Sequence, residues 1–183
     1  MDNFGSTDSD IKSLLKLGLI IKKENNKGYY DRFRDRIIFP IRDNRGRFIG
    51  FGGRIFEGDQ PKYLNSPETP IFQKGRELYG LYECQKSMRV IEKVIVVEGY
   101  MDVIAVSASG VAAALAPLGT ALTEQQIQLV WKLNPEPILC FDGDAAGQKA
   151  ASRAIERILP LLEPGKTVRI AVMPAGQDPD DIL

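Results

Sequence analysis

Three short apolar runs in the second half of the sequence each lead into acidic residues, and this repetition strongly constrains the fold. Residues 94–97 are followed by Glu98, residues 138–141 by Asp142 and Asp144, and residues 168–172 by Asp178 and Asp180. Apolar runs without alternation predict strands that are buried on both faces. Because an isolated buried charge is very costly, we expect the acids at the open carboxyl ends of the strands, where α/β sheets bind ligands.

Helical patterns separate these runs. A further strand is predicted at residues 111–115, after a helix at residues 101–109. Thr123, with Gln126 three residues later, forms a capping-box pattern that predicts the start of the next helix. Strands that alternate with helices are typical of a doubly wound parallel sheet. We therefore predict an α/β domain in the second half.

The first half is organised differently. Residues 37–41 and 48–56 predict two strands, joined at Asp43–Gly46 by a hairpin turn. The second strand is rich in glycine, which predicts bulges or the close approach of a backbone or ligand. Residues 61–70 contain three prolines and predict an ordered loop. The pattern indicates a small α+β lobe.

The zero net charge of the chain conceals a division. Residues 1–90 hold 17 lysines and arginines against 12 acids, a net charge of +5, whereas residues 91–183 hold 7 against 12, a net charge of −5. We predict a basic lobe over residues 1–90 and an acidic domain over residues 91–183. This division suits a polyanion held beside a metal site, although chance partition of surface charge is the alternative.

The sequence has no histidine and two cysteines, Cys84 and Cys140. Histidine-based general bases, Ser-His-Asp and Cys-His triads, and imidazole zinc sites are therefore excluded. The carboxylates favour a hard ion such as Mg²⁺ or Mn²⁺. The cysteines lack metal-ligand spacing and predict reduced thiols in the cytoplasm. No apolar run has the length needed to span a membrane, and no signal-peptide pattern is present, so we expect no membrane partner.

Carboxylates in this pattern suit phosphoryl transfer, which depends on cations to neutralise and align phosphates. Asp142 and Asp144 are two residues apart, so they are able to converge on one ion, with Gly143 keeping the space between them clear and Gly147 allowing substrate to approach. Structural alternatives exist for each acid, namely a strand-end ion pair for Glu98 and helix caps or turns for Asp144 and the Asp178–Asp181 segment. Asp102 fits a first-turn helix acid. The repetition at three strand ends favours the chemical interpretation.

These motifs resemble the Toprim signature: Val-Glu-Gly-Tyr-Met-Asp at 97–102, Phe-Asp-Gly-Asp at 141–144 and Asp-Pro-Asp at 178–180. Toprim domains occur in primases, topoisomerases, nucleases and recombination proteins. The preceding lobe is similar to that of the bacterial DnaG-type DNA primases at residues 31–41, 50–54 and 61–69. The resemblance runs from about residue 29 to the end of the chain.

The resemblance implies a Toprim-type, Rossmann-like parallel-sheet domain preceded by the basic α+β lobe. It implies a DNA-directed RNA polymerase that makes short RNA primers from NTPs on a single-stranded DNA template. The catalytic acids would be Glu98, Asp142 and Asp144, and two or more Mg²⁺ or Mn²⁺ ions would be held by Glu98, Asp142, Asp144, Asp178 and Asp180. Contacts to nucleotides, template and RNA primer would come from Arg32, Arg34, Arg54, Lys62, Asn65 and Lys74.

DnaG-type primases also carry a zinc-binding module, a helical segment after the Asp178–Asp180 motif, and a domain that binds the replicative helicase. This sequence has no Cys/His cluster and ends at Leu183, so we expect an excised core without a zinc site. Contact with the helicase is expected only through the missing domain. Two other classes stay open, namely another Toprim-type metal-dependent nuclease or phosphatase, and a non-catalytic module that binds single-stranded nucleic acid and has structural acids.

Overall fold

The computed structural model describes residues 7–24, 28–57, 61–87 and 92–183. Contacts between residues divide the chain into two compact units. The first consists of Met1–Ile41 and Phe48–Gln73, and the second of Arg42–Arg47 and Lys74–Leu183. In the described part of the chain, no helix has the length and apolar character needed to cross a membrane.

The first unit consists of a helix and two small sheets, except that Arg42 at the end of one strand belongs to the second unit. Its elements are α1 (Asp8–Lys16), the antiparallel pair β1 (Ile20–Lys22) and β2 (Tyr29–Asp31), and a sheet with the order β3 (Arg36–Arg42), β4 (Phe48–Ile55) and β5 (Tyr63–Asn65). The predicted hairpin between β3 and β4 is confirmed. Its turn is closed by the Gly46 N–H, which donates to the Asp43 carbonyl at 2.9 Å, and Gly46 has a φ of +81° that favours glycine.

The prediction of a loop over residues 61–70 is wrong for β5. Its backbone pairs with the glycine-rich strand β4, with Gly52 opposite Asn65. The β4 glycines make room for aromatic rings, since a Cβ at Gly50 would lie 3.2 Å from the Phe72 ring and one at Gly53 would lie 2.9 Å from the Phe33 ring. The three prolines of the segment lie outside β5. Because the prediction of a loop depended on these prolines, it did not reveal the short strand between them.

The second unit has a four-stranded parallel sheet with helices on both faces, as predicted. Its elements in chain order are α2 (Leu81–Ser87), β6 (Val94–Val96), α3 (Tyr100–Ser109), β7 (Ala113–Leu115), α4 (Glu124–Leu133), β8 (Ile138–Phe141), α5 (Ala145–Ile158), β9 (Arg169–Val172) and α6 (Pro179–Ile182). The strand order is β7–β6–β8–β9, and each neighbouring pair is parallel.

Alternate residues of the strands enter two separate cores. Leu139 belongs to the core formed with α4 and α5, whereas Cys140 belongs to the core formed with α3. The Leu139 side chain is 1% exposed and that of Cys140 6%. A strand covered on both faces needs apolar residues at successive positions, which explains the unbroken apolar runs in the sequence.

The strand order creates a switch point between β6 and β8. After β6 the chain passes to β7 on one side and then returns across β6 to β8 on the other side. The pairing of β6 with β8 ends at Val96 and Leu139, although β8 continues to pair with β9 as far as Phe141. The two strands therefore separate at their carboxyl ends, which is the usual place for a ligand in an open α/β sheet.

Residues 74–87 belong to the second unit by their contacts. Leu78, Leu81 and Cys84 are buried in the core beside α4. Gln126 of α4 is fully buried and its Nε2 donates to the carbonyl oxygens of Lys74 at 2.8 Å and Glu77 at 2.7 Å. The division by contacts falls between Gln73 and Lys74, whereas the predicted boundary lies at residue 90. The functional boundary at residue 90 stays a prediction.

Replacing Gln126 with alanine should lower the free energy of unfolding by about 3 kcal/mol, because two buried carbonyl groups lose their donors and a cavity remains. Its Oε1 also accepts the Thr123 N–H at 2.9 Å, so the helix loses part of its capping box. Urea denaturation provides the measurement. The neighbour Gln125 is exposed and its Oε1 accepts a hydrogen bond from Arg76 Nε at 3.0 Å, and Gln125→Ala should cost about 0.5 kcal/mol or less. Equal losses in both variants would contradict this account.

Candidate functional site

Glu98 and Asp142 lie at the carboxyl ends of neighbouring strands, as the sequence predicted. Glu98 is exposed and follows β6, and its Oε1 accepts the backbone N–H of Asp142 at 3.0 Å. This hydrogen bond joins the ends of β6 and β8 just beyond their last paired residues. The glutamate side chain is therefore directed towards the second acidic motif.

Asp142 has a half-buried side chain whose Oδ1 is buried without a hydrogen-bond partner among the described residues. Burial, together with the neighbouring carboxylates of Glu98, Asp102, Asp178 and Asp144, raises the pKa of Asp142 to about 7. A buried, unpartnered carboxylate oxygen costs free energy, and a cation is the partner that would relieve both the desolvation and the repulsion.

Gly143 brings the loop after β9 close to Asp142. A Cβ at Gly143 would overlap the carbonyl oxygen of Pro174, and the Gly143 N–H donates to the Gln177 carbonyl at 3.0 Å. The structure therefore corrects the expectation that Gly143 mainly clears space between two acids. Its lack of a side chain allows the approach of the loop that leads to Asp178.

Gly147 also has a structural reason for lacking a side chain. A Cβ there would overlap the Asp142 carbonyl oxygen, so glycine allows the first turn of α5 to pack against the end of β8. The approach of substrate at Gly147 stays a prediction beside this structural reason. The residue serves the packing of the chain itself.

Asp144 and Asp178 both cap helices, so the structural alternatives for these residues are observed. Asp144 Oδ1 accepts the Gly147 N–H at 2.7 Å at the start of α5. Asp178 Oδ1 accepts the Asp181 N–H at 2.9 Å at the start of α6. Each cap uses one oxygen of the carboxylate, and the caps orient the acids without using the second oxygen. Asp180 lies exposed in the first turn of α6.

Asp102 is the acid that the sequence analysis did not place in the site. Its side chain is 7% exposed, and Oδ2 accepts the Gly99 N–H at 2.8 Å. Burial raises the pKa of Asp102 against the lowering effect of this hydrogen bond, and Asp178, Asp180 and Glu98 raise it as well. The signal was its position three residues after Gly99, which is the reciprocal position of a capping box.

The acidic cluster is therefore defined as Glu98, Asp102, Asp142, Asp144, Asp178 and Asp180. Its members affect one another electrostatically. However, within residues 7–24, 28–57, 61–87 and 92–183, no three His, Cys, Asp or Glu side chains come together closely enough to hold a metal ion. The structure thus supports a concentration of negative charge at the strand ends, and a shared ion stays a prediction.

Several of the predicted nucleic-acid-binding residues meet around Tyr63 in the first unit. The Arg54 guanidinium lies 5.8 Å and the Lys62 ammonium 5.9 Å from the centroid of the Tyr63 ring. Asn65 is two residues further along β5, opposite Gly52. We call Arg54, Lys62, Tyr63 and Asn65 the β4–β5 basic patch. Two cations beside one aromatic ring provide both charge and a stacking surface for a nucleic acid.

The other predicted contact residues have contacts of their own. The Nε of Arg32 donates to the Gly18 carbonyl at 2.8 Å, which is a structural bond within the first unit. Arg34 is exposed, with its guanidinium 4.7 Å from the centroid of the Tyr30 ring. Lys74 belongs to the second unit, where Gln126 binds its carbonyl oxygen. A nucleic-acid contact stays a prediction for each of these residues.

Comparisons with known proteins agree with the fold. Residues 92–172 match the family model described as the Toprim domain, and residues 1–85 match the DNA primase catalytic core, N-terminal domain. The DNA primase of Pseudomonas aeruginosa is 51% identical over all 183 residues, which cover 28% of that protein. A crystal structure of a DNA primase domain from the same organism matches 99% of this chain and 56% of its own, with a TM-score of 0.94 and 51% identity. A DnaG primase catalytic domain bound to single-stranded DNA matches 99% of this chain and 56% of its own, with a TM-score of 0.91 and 48% identity.

The parallel sheet and its acidic strand ends therefore define a Toprim domain. With the matching domain that precedes it, the chain belongs to the family of DnaG-type DNA primases and carries part of their catalytic core. The chain spans less than a third of the length of the curated Pseudomonas aeruginosa relative.

Replacing Asp142 with asparagine should raise the thermal stability of the chain in EDTA at pH 8 by roughly 2–4 °C. The carboxyl group ionises near pH 3.8 when unperturbed and near pH 7 in the folded protein. The folded protein therefore binds this proton more tightly than the unfolded chain does. The resulting stabilisation is fully present below about pH 4 and is lost as the pH rises through about 7. Asparagine is uncharged at both pH values, so the variant does not undergo this loss. The difference in melting temperature between the variant and the parent should therefore be small at pH 4. Melting followed by circular dichroism provides the measurement.

The matched control is Glu156→Gln, which changes an exposed acid of α5 outside the acidic cluster. Its melting temperature should follow that of the parent at both pH values. An Asp142→Asn variant with the stability of the parent at pH 8 would show that the carboxylate is not under electrostatic strain.

Proposed function

We propose that this chain forms part of the catalytic core of a DNA primase that joins NTPs into short RNA primers on a single-stranded DNA template. The observation that carries the proposal is the buried, unpartnered Oδ1 of Asp142 among the carboxylates that follow β6, β8 and β9. The 51% identity with a DNA primase over the whole chain supports the same reaction class. Because the chain spans 28% of that relative, we propose that it contributes to this reaction and not that it performs the whole of it.

The acidic cluster fits divalent metal ions by its chemistry. It offers only carboxylate oxygens, which suit Mg²⁺ and Mn²⁺, and one of these oxygens is buried without a partner. We propose that Glu98, Asp142, Asp144, Asp178 and Asp180 hold two or more such ions, and that Glu98, Asp142 and Asp144 are the catalytic acids. When bound, the ions would neutralise phosphate charge and activate an oxygen nucleophile.

The residues of the chain position these acids before any substrate binds. The Glu98 carboxylate is held against the end of β8 by the Asp142 N–H. The caps on α5 and α6 fix the backbone of Asp144 and Asp178, so neither acid has to be ordered when the ion binds. Preorganised charge of this kind is the main protein contribution to phosphoryl transfer, because the reaction needs little covalent participation from side chains.

We propose that basic side chains bind the NTPs, the RNA primer and the template. The β4–β5 basic patch has Arg54, Lys62 and Asn65 together, and Arg34 adds an exposed cation. Lys74 and Arg32 are proposed contacts from the resemblance alone, with Arg32 also serving a structural bond. Binding should be mainly to the phosphate backbone and sensitive to salt. The cytoplasm stays the predicted location, and helicase contact is expected only outside these residues.

Replacing Glu98 with glutamine should reduce primer synthesis by at least about a hundredfold, because the charge that would bind the ion is lost while the side-chain volume is kept. The assay should use the chain in place of the homologous segment of the Pseudomonas aeruginosa primase, since that protein supplies the remaining length. Single-stranded template, NTPs and Mg²⁺ or Mn²⁺ are added, and labelled RNA products are separated on a gel.

Glu156→Gln is again the control, and it should synthesise primers at the rate of the unmodified chimera. Template degradation in place of new RNA would instead support a nuclease. If Glu98→Gln made primers as fast as the parent, Glu98 would have no role in the catalytic site.

Lys62→Ala should weaken the binding of single-stranded DNA and reduce by about one the slope of log K against log salt, because one phosphate contact is lost. Lys62 is exposed in the β4–β5 basic patch, so the substitution should leave the fold intact. Fluorescence anisotropy of a labelled oligonucleotide over a range of salt provides the measurement. Lys12→Ala on α1 removes an equal charge from an exposed site and should leave the slope unchanged, whereas identical slopes in all three proteins would contradict the assignment.

A further inference from the structure

Arg36, the first residue of β3, reaches across its own sheet with a half-buried side chain. The sheet has the order β3–β4–β5, and the Nη1 of Arg36 donates to the carbonyl oxygen of Gly53 in β4 at 3.3 Å. The same nitrogen donates to the Pro61 carbonyl at 2.9 Å and to the Lys62 carbonyl at 3.4 Å, just before β5 begins. One guanidinium group therefore joins β3, β4 and the segment that enters β5.

Gly53 allows the Arg36 side chain to cross β4 at close range. A Cβ at Gly53 would lie 3.0 Å from the Cδ of Arg36 and 3.3 Å from its Cβ. Glycine within a strand indicates the close approach of another group. At Gly53 the approaching groups are side chains of the chain itself, since the Phe33 ring lies on the same glycine. The glycine therefore serves the placement of Arg36.

The backbone directly before Arg36 has a conformation that residues other than glycine rarely adopt. Asp35 has a φ of +54°, in the left-handed region. Before it, the Arg34 guanidinium lies 4.7 Å from the centroid of the Tyr30 ring in β2. After it, Arg36 contacts β4. The left-handed residue thus directs two arginines to different strands, and uncommon backbone conformations of this kind are concentrated at functional sites.

The hydrogen bonds of Arg36 end on the backbone of the β4–β5 basic patch. The Lys62 carbonyl also accepts the Ile55 N–H at 3.0 Å, directly beside the paired residues Arg54 and Tyr63. The Lys62 side chain is exposed, and long flexible side chains lose conformational freedom when they bind. A guanidinium group has five N–H donors in one plane, so it is able to hold several carbonyl oxygens in place. Arg36 therefore fixes the backbone from which Lys62 projects.

We propose that Arg36 is a positioning residue for nucleic-acid binding, which fixes the backbone at Lys62 and so directs the Lys62 ammonium to a phosphate of the bound strand. Arg36 itself makes no phosphate contact in this proposal, because its Nη1 is directed at backbone carbonyls. The inference rests on the proposed binding of single-stranded nucleic acid by the β4–β5 basic patch. It adds a role for a residue that the sequence analysis did not place in the site.

The test is a double-mutant cycle in the 183-residue chain with Arg36→Met, which removes the donors and keeps an apolar side chain, and Lys62→Ala. Arg36→Met alone should weaken the binding of labelled single-stranded DNA roughly fivefold and reduce the slope of log K against log salt by up to about one. In the Lys62→Ala background it should weaken binding by less than about twofold and leave the slope unchanged, because the group through which Arg36 acts is already absent. Arg45→Met removes the same charge from the exposed turn after β3 and should change neither quantity.

Amide hydrogen exchange separates positioning from a general loss of stability. In Arg36→Met, exchange of the Ile55 N–H should be at least about tenfold faster, because the Lys62 carbonyl that accepts it is less well fixed. The Ser66 N–H donates to the Phe51 carbonyl at 2.8 Å, at the other end of the same pair of strands. Its exchange should be unchanged.

The results that would overturn the proposal differ from one another. Equal losses of affinity and slope in the parent and Lys62→Ala backgrounds would show that Arg36 contacts phosphate directly. Equal acceleration of exchange at Ile55 and Ser66 would show general destabilisation. Unchanged binding in Arg36→Met, with binding still weakened in Lys62→Ala, would contradict the positioning role alone. Unchanged binding in Lys62→Ala would contradict the proposed nucleic-acid interface and this inference with it.

Discussion

The repulsion between carboxylates at the carboxyl ends of parallel strands is the constraint on which the site depends. At Asp142, burial and the repulsion of four neighbouring acids together raise the pKa of the carboxyl group to about 7. The fold opposes this repulsion with backbone N–H groups, which bind Glu98, Asp102, Asp144 and Asp178. A helix cap engages one oxygen of a carboxylate. Capping is therefore compatible with the proposed binding of a metal ion by the second oxygen of the same side chain.

The parallel sheet and its acidic strand ends were predictable because apolar runs and the acids after them are local patterns. The strand at 138–141 matches β8 residue for residue, and the capping box at Thr123 is present as predicted. Asp102 was harder to place, because its burial depends on the packing of α3 against α6. Strand β5 and the role of Gly143 depend on pairing and loop contacts with segments distant in the sequence, which local patterns do not reveal.

Charge composition and packing divide the chain at different places, and the difference has a physical cause. Net charge depends on surface residues, whereas the units depend on buried contacts. Residues 74–87 fall in the basic half of the sequence but pack into the core of the Toprim domain, where the buried amide of Gln126 binds the Lys74–Glu77 backbone. Lys74 is therefore fixed by the Toprim domain, whereas Arg54 and Lys62 belong to the first unit.

The proposed function requires carboxylates after separate strands to share divalent ions. Crystals of the chain soaked in Mn²⁺ test it most directly, because anomalous scattering locates the metal without reference to activity. We expect an anomalous peak within coordination distance of Glu98 and Asp142, and the loss of that peak in crystals of Glu98→Gln. A peak bound elsewhere, or none at Mn²⁺ concentrations that saturate ordinary carboxylate sites, would contradict it.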